Sequence, residues 1–330
     1  MNLSASAGAP ACTVDLYKKT PFIQNPLYHA LLTTNQSSNK ITKSCYRSER
    51  MTNENQINVL FCGNIKVFDG ILTTMLSILK RTETKLPFSF YVFTMDVSHL
   101  KNDYIPLTQK QIDFLSSVAQ KYNPQNKCKL IDVTEFYKSE FSGSPNEQCY
   151  CSPYTLIRLF ADLIPDMPEK FLYLDTDIMF NRDITLLYNI DIENYEYAAA
   201  NDHYGKYLIR PDYINAGVLL FNLKKCKETK LFEKARNQIK TKKWLFADQD
   251  AIWHSTTKKK IISQKFNDQK FLWKNTVVRH FSKRLFWLPY PHTANIKQYH
   301  VTKVHTVFKY DQFDDILYEY IYLKKVFENN

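Results

Sequence analysis

The stretch "FLYLDTDIMF", residues 171–180, decides how the rest of the chain is read. Four apolar residues lead into Asp175 and Asp177, one threonine separates them, and apolar residues resume at once. A carboxylate inside an apolar run is costly unless something neutralises it. Strand side chains repeat every two residues, so the two acids share a side if the extended backbone continues that far. Two such carboxylates repel, and a bound divalent cation relieves the repulsion as well as a proton does. Hard cations such as Mg²⁺ take oxygen ligands and commonly join one or two carboxylates to substrate phosphates, and Mn²⁺ also tolerates an imidazole. D-x-D alone is a weak signal; its place at a strand end raises it. Phosphoryl transfer of the haloacid-dehalogenase type also places D-x-D at a strand end. It usually carries Thr or Val two residues after the second acid, where this chain has Met179.

Outward from this stretch, strands and helices alternate. "INVLFCG" (57–63), "FSFYVFTM" (88–95), "CKLIDVT" (128–134) and "KFLYLD" (170–175) read as strands. Between them, 69–81 has apolar residues at helical spacing, 107–122 carries a capping pair in Thr108 and Gln111, and 152–165 begins Ser-Pro and ends at Pro165. This order predicts an α/β fold with a mainly parallel sheet, its ligand outside the carboxyl ends of the strands. Residues 1–52, rich in Ser, Thr, Asn and Ala, read as an extension before a catalytic domain at 53–310 and a helical tail at 311–330. Met51 is a candidate alternative start.

Composition bounds the function. The 330 residues are 44% apolar and 15% aromatic, which suits a globular chain, and no window offers the apolar run of a membrane span. The N-terminus lacks the basic and apolar regions of a secretory signal. Seven cysteines, some inside apolar strands, suit reduced thiols in the cytoplasm better than a disulfide framework; Cys149 and Cys151 have no second cluster at zinc spacing. The net charge of +11 is uneven: residues 151–223 carry 11 acidic against 5 basic residues, and 224–330 carry 23 basic against 10 acidic. That layout suits a cation site beside a surface that attracts anions, although a lysine-rich solvated face explains most of these lysines. Lysines interleaved with aromatics in 240–290 suit nucleic acid or an anionic membrane. No nucleic-acid module frames them, so no nucleic acid is expected.

"SPYTLIRLFADLIP…KFLYLDTDIMFNRDI" resembles the family 8 retaining glycosyltransferases, the group of bacterial lipopolysaccharide galactosyl- and glucosyltransferases and glycogenin. "YINAGVLLFNLKK" (213–225), "FADQDAIW" (246–253) and "VTKVHTVFKY" (301–310) continue the resemblance in order, over about residues 57–310. It implies a single-domain nucleotide-diphospho-sugar transferase (GT-A) fold. It also implies a UDP-glucose or UDP-galactose donor, Mn²⁺ with Mg²⁺ as the alternative, and a glycan or lipid-linked saccharide acceptor. By the same resemblance Asp175, Asp177 and His305 hold the metal, and Thr176 lies between the acids at the donor. Phe61, Cys62 and Asn64 meet the nucleotide, Arg158 the diphosphate or sugar, Asn215 the sugar, and Asp202 donor or acceptor hydroxyls. Asp248 and Gln249 lie nearest the reacting carbon, where same-face attack with stabilisation of the cationic sugar is favoured over double displacement by an amide. Two departures stand out. Asn64 replaces the usual acid, and "HTVFKYDQF" replaces the H-x-x-G-x-x-K-P-W loop of many members, leaving Lys309 as the candidate phosphate lysine. A binding protein without turnover is the alternative reading.

Overall fold

The computed structural model describes residues 56–147, 152–286 and 290–329. The extension, Met51, and the pair Cys149 and Cys151 lie outside the described residues. The central sheet contains seven strands: β1 (Ile57–Cys62), β2 (Phe88–Thr94), β3 (Lys127–Asp132), β4 (Lys170–Leu174), β6 (Tyr197–Asn201), β7 (Ile214–Asn222) and β8 (Lys259–Ile262). Their order is β3-β2-β1-β4-β7-β6-β8. The first four are parallel, β7 runs antiparallel to both β4 and β6, and β8 is parallel to β6. Short strands β5 (Ile178–Phe180) and β9 (Val278–His280) pair separately, as do β10 (Arg284–Phe286) and β11 (His292–Ala294). The sheet is mainly parallel, as the alternation predicts, and antiparallel β7 makes it mixed.

Alternation along each strand builds two cores, one per face. Ile57, Val59 and Phe61 of β1 join Leu172 and Leu174 of β4 on one face; Leu60 and Cys62 join Phe171 and Tyr173 on the other. Strands buried on both faces read as continuous apolar runs, which is why β1 and β4 are legible. The first face is covered by α1 (Phe68–Arg81) and α7 (Asp314–Glu328). The segment expected as a helical tail is thus packed on α1, with Phe313, Ile316, Leu317 and Tyr320 buried in the same core. Helix α2 (Gln109–Gln120) has the expected capping box from Thr108 and Gln111, and α3 (Thr134–Phe141) follows β3. The second face is covered by α4 (Leu223–Thr229), α5 (Leu231–Thr241), α6 (Ala247–Ser255) and segment 153–163. That segment starts at Ser152-Pro153 as expected, yet winds as a 3₁₀ helix, with Thr155 N–H bonded to Ser152 C=O at 3.0 Å.

Strand order reverses between β1 and β4, so the crevice outside their carboxyl ends is the place for a ligand. Asp175 and Asp177 lie in the turn between β4 and β5, where the extended backbone has ended. Helix α1 fixes that turn. Thr74 Oγ1 donates to Ile178 C=O at 2.8 Å, and Ser77 Oγ accepts from Phe180 N–H at 2.9 Å. Gly70 is needed there, because a Cβ would lie 2.2 Å from Thr176 C=O. Among the described residues no helix is long and apolar enough to cross a membrane, and Cys62, Cys128 and Cys226 are free.

Candidate metal and donor site

Each acid leaves the turn toward a different partner. Asp175 continues the face of Tyr173, whose hydroxyl donates to its Oδ1 at 2.6 Å. Arg158 donates to the same oxygen at 3.3 Å, stacks 3.7 Å above the Tyr173 ring and donates to Ala216 C=O at 2.5 Å. Its Nε lies 3.2 Å from Asp248 Oδ2, within a buried pair. Burial disfavours the Arg158 charge, yet Asp248, Tyr173 and Asp175 keep the guanidinium above its ordinary range. Burial, which Arg158 opposes, pushes the Asp248 carboxyl up. Arg158 is thus a fixed charge at the crevice, as a diphosphate or sugar contact requires.

Asp177 faces an imidazole. Antiparallel pairing of β5 with β9 sets Ile178 opposite His280, and Phe281 N–H donates to Asp177 C=O at 2.7 Å. His280 Nε2 therefore sits 3.0 Å from Asp177 Oδ1 and 3.8 Å from Asp175 Oδ2. Ligand atoms of these three residues all lie within 4.8 Å of one another, the one such group among the described residues. Burial works against the Asp177 charge, but Lys297 and His280 hold its carboxyl far below the usual carboxylate range.

This set fits a divalent cation on three counts. Asp177 Oδ1 is buried with only the His280 ring beside it, at 3.0 Å, and a cation between the two would satisfy both. Two carboxylates and one imidazole are a competent donor set for Mn²⁺. The ring is held through its other nitrogen: His280 Nδ1 and Asn267 Oδ1 are 3.0 Å apart, so an Nδ1–H donated there leaves Nε2 with its lone pair toward the acids. Asn267 in turn donates to Asn215 Oδ1 at 2.9 Å, and Asn215 Nδ2 donates to Asp202 Oδ2 at 3.0 Å. Gly217 makes room, since a Cβ there would lie 2.3 Å from His280 Cε1.

The expected third ligand was His305, and the structure places it elsewhere. "VTKVH" forms no strand; residues 301–308 are helical, and His305 Nε2 faces Asp314 at 2.6 Å. His280 takes the position beside the acids. Its signal was comparable: "TVVRH" is also an apolar run ending in histidine. Lys309 is exposed beyond that helix, in left-handed conformation.

The remaining expected residues divide by strand face. Cys62 lies on the site face, its thiol pushed up by burial in a neighbourhood that includes Arg158, Asp175 and Asp248. Phe61, one residue earlier, is wholly buried in the opposite core and stacks on Phe90. Asn64 caps the turn after β1 and donates to Asp103 C=O at 3.2 Å. Thr176 C=O accepts from Gln298 at 2.9 Å. Asp202 Oδ1 accepts from Gly205 N–H at 2.7 Å, and Gln249 Oε1 from Ala216 N–H at 2.9 Å. Ala247, at φ 29°, turns the chain into α6 so that Asp248 and Gln249 open it. Sequence reasoning missed His280, Asn267, Lys297 and Tyr173.

Comparison with known proteins bears on the fold and the family. The profile of Glycosyl transferase family 8 matches residues 58–284, a span that includes His280 and ends before His305. A Haemophilus influenzae protein named "Putative glycosyltransferase" is 29% identical over 224 residues, 64% of this chain and 63% of its own. "Glycosyltransferase GlyA" of Streptococcus pneumoniae is 27% identical over 167 residues, 50% of this chain and 20% of its own. The chain thus spans under two thirds of the curated relatives it matches. Among solved structures, the galactosyltransferase LgtC with donor and acceptor sugar analogues superposes with a TM-score of 0.54 at 16% identity, covering 80% of this chain and 96% of that one. GlyE of Streptococcus pneumoniae gives 0.54 at 18% identity, covering 83% and 64%. These superpositions share the fold, and the profile covers more than half of the residues: the chain belongs to glycosyl transferase family 8.

Proposed function

We propose that the protein is a metal-dependent retaining glycosyltransferase that moves a hexose from UDP-glucose or UDP-galactose to a glycan or lipid-linked saccharide. The observation that carries this reading is the convergence of Asp175, Asp177 and His280 beside the fixed Arg158, at the strand-order reversal. Mn²⁺ suits the donor set, with Mg²⁺ as the alternative, and when bound it supplies a Lewis acid at the leaving diphosphate. The chain's own residues do the rest. Asp175, Asp177 and His280 hold the ion, and Asn267 fixes the ring. Arg158 supplies a positive charge that needs no reorganisation as negative charge develops. Asp248 and Gln249, at the start of α6, face the sugar, and Asn215 with Asp202 meets its hydroxyls. Same-face attack asks only for such positioning, which is why it is favoured over a nucleophilic amide.

The setting belongs to the same proposal: the cytoplasm, with the basic C-terminal half resting on an anionic inner membrane surface near a lipid-linked acceptor. Vesicle sedimentation across a salt series tests that contact; equal binding to neutral and anionic vesicles refutes it. The reaction is tested with purified protein, Mn²⁺ and a panel of UDP-sugars. Transfer or hydrolysis of one donor is the expected result. UDP binding without turnover supports the alternative, a donor-binding protein whose closing loop departs from the family pattern, and no UDP binding at all refutes both.

A further inference from the structure

Lys297 has no part in the reading above, yet it lies at the centre of the site. Its Nζ is 2.5 Å from Asp177 Oδ2, while Oδ1 of the same carboxylate faces His280. The side chain is only 24% exposed. Its position is built into the chain. Gln298, the next residue, is fully buried, and its Nε2 lies within hydrogen-bonding distance of Thr176 C=O at 2.9 Å, Thr73 Oγ1 at 2.9 Å and Gly70 C=O at 3.3 Å. Thr176 stands between the two acids. Residues 297 and 298 are therefore fastened to the metal-binding turn and to the first turn of α1, and the ammonium is delivered to Asp177 by that attachment.

An ammonium and a divalent cation compete for one carboxylate. Without a metal, Lys297 compensates the buried Asp177 charge, which would otherwise be costly. A divalent ion entering between Asp175, Asp177 and His280 meets a like charge at Asp177. A nucleoside diphosphate reverses the balance, because its oxygens offer the ammonium a second anion within reach of a flexible stem. Building on the donor-site assignment, we propose that Lys297 is an internal counter-cation of the metal site. It weakens binding of the divalent ion alone and makes binding of ion and diphosphate cooperative. Such coupling is reciprocal, so either ligand reports it.

The test measures Mn²⁺ affinity of the full chain, from the electron spin resonance signal of free Mn²⁺, alone and with saturating UDP, in wild type, Lys297→Met and Lys297→Arg. Lys297→Met is expected to bind Mn²⁺ alone at least tenfold more tightly than wild type. The factor by which UDP raises Mn²⁺ affinity is expected to fall at least tenfold. Lys297→Arg, which keeps the charge, should restore both values toward wild type. Lys297→Met with unchanged or weaker Mn²⁺ affinity, or an undiminished UDP effect, overturns the proposal. Should Lys297→Met fail to fold by circular dichroism, Lys297→Gln carries the same comparison. Wild type that binds no Mn²⁺ even with UDP overturns the site assignment as well, so the two failures are told apart.

Discussion

Gly217→Ala puts the metal-site geometry under direct test. The added Cβ would lie 2.3 Å from His280 Cε1, 2.9 Å from His280 Nδ1 and 2.9 Å from Asp175 Oδ2. Carbon atoms in contact sit about 3.5–4.0 Å apart, so the ring must retreat by more than about 1 Å. Little space exists for that retreat. His280 is 3% exposed, its backbone is paired with β5, and its Nδ1 is 3.0 Å from Asn267 Oδ1. Overpacking a filled core costs about 1–3 kcal/mol, and losing the ring's hydrogen bond adds about 1 kcal/mol. Destabilisation of about 2–4 kcal/mol is expected, read from urea unfolding of the purified chain. Mn²⁺ affinity should fall about 10–100-fold, the usual effect of disturbing the groups that orient a ligand. A Gly217→Ala protein within about 0.5 kcal/mol of wild type, the ordinary range for a substitution of no structural consequence, and with unchanged Mn²⁺ affinity would show that His280 is not seated as described.

Three further outcomes follow from the same geometry. His280→Ala should abolish measurable Mn²⁺ binding, whereas His305→Ala should leave it intact and cost about 0–1 kcal/mol, since the pair of His305 with Asp314 is about one third exposed; the reverse pattern returns the third ligand to His305. Asn267→Ala should lower Mn²⁺ affinity about 10–100-fold with the three ligands untouched, and equal affinity in a titration would refute the orienting role. Glu196 accounts for a pH-dependent part of stability. Burial opposes its charge, but donors from Thr229, Thr256, Thr257 and Lys258 hold its carboxyl below the ordinary glutamate range. Its contribution is therefore fully present above the unfolded-state value of about 4.3 and lost as pH falls through the lower folded value. The urea midpoint of Glu196→Gln should lie below that of wild type at pH 7, and the gap should narrow as pH falls below about 4.3; a constant gap refutes it.

The sheet's first half was legible because its strands are buried on both faces. Ile57–Cys62 and Phe171–Leu174 are buried throughout and almost wholly apolar, and the break at Asp175 marks where the strand ends. Capping chemistry is local, so Thr108 and Gln111 announced α2 without any tertiary information. Strand β7 was visible as a segment, but its insertion between β4 and β6 depends on pairing partners far along the chain, Lys170–Leu174 on one side and Tyr197–Asn201 on the other. The direction in which the two acids meet was also hidden. Strand alternation would have aligned them; a turn does it instead, with α1 holding β5 through Thr74 and Ser77.

The third ligand shows most clearly what a sequence withholds. Both "TVVRH" and "VTKVH" offer a histidine after apolar residues, and a three-residue strand such as β9 carries no periodicity of its own. Only the register of β9 on β5, with Ile178 opposite His280, chooses between them. That choice alters the reading of the closing loop. Counted from His305, the pattern H-x-x-G-x-x-K-P-W finds neither its glycine nor its tryptophan. Counted from His280, it finds Trp287 seven residues on instead of eight, Lys283 in the glycine position, and Arg284 beside it. From either histidine the glycine and the lysine of the pattern are missing, with Phe286 in the lysine's place when His280 is the origin, so the departure from the family pattern stands.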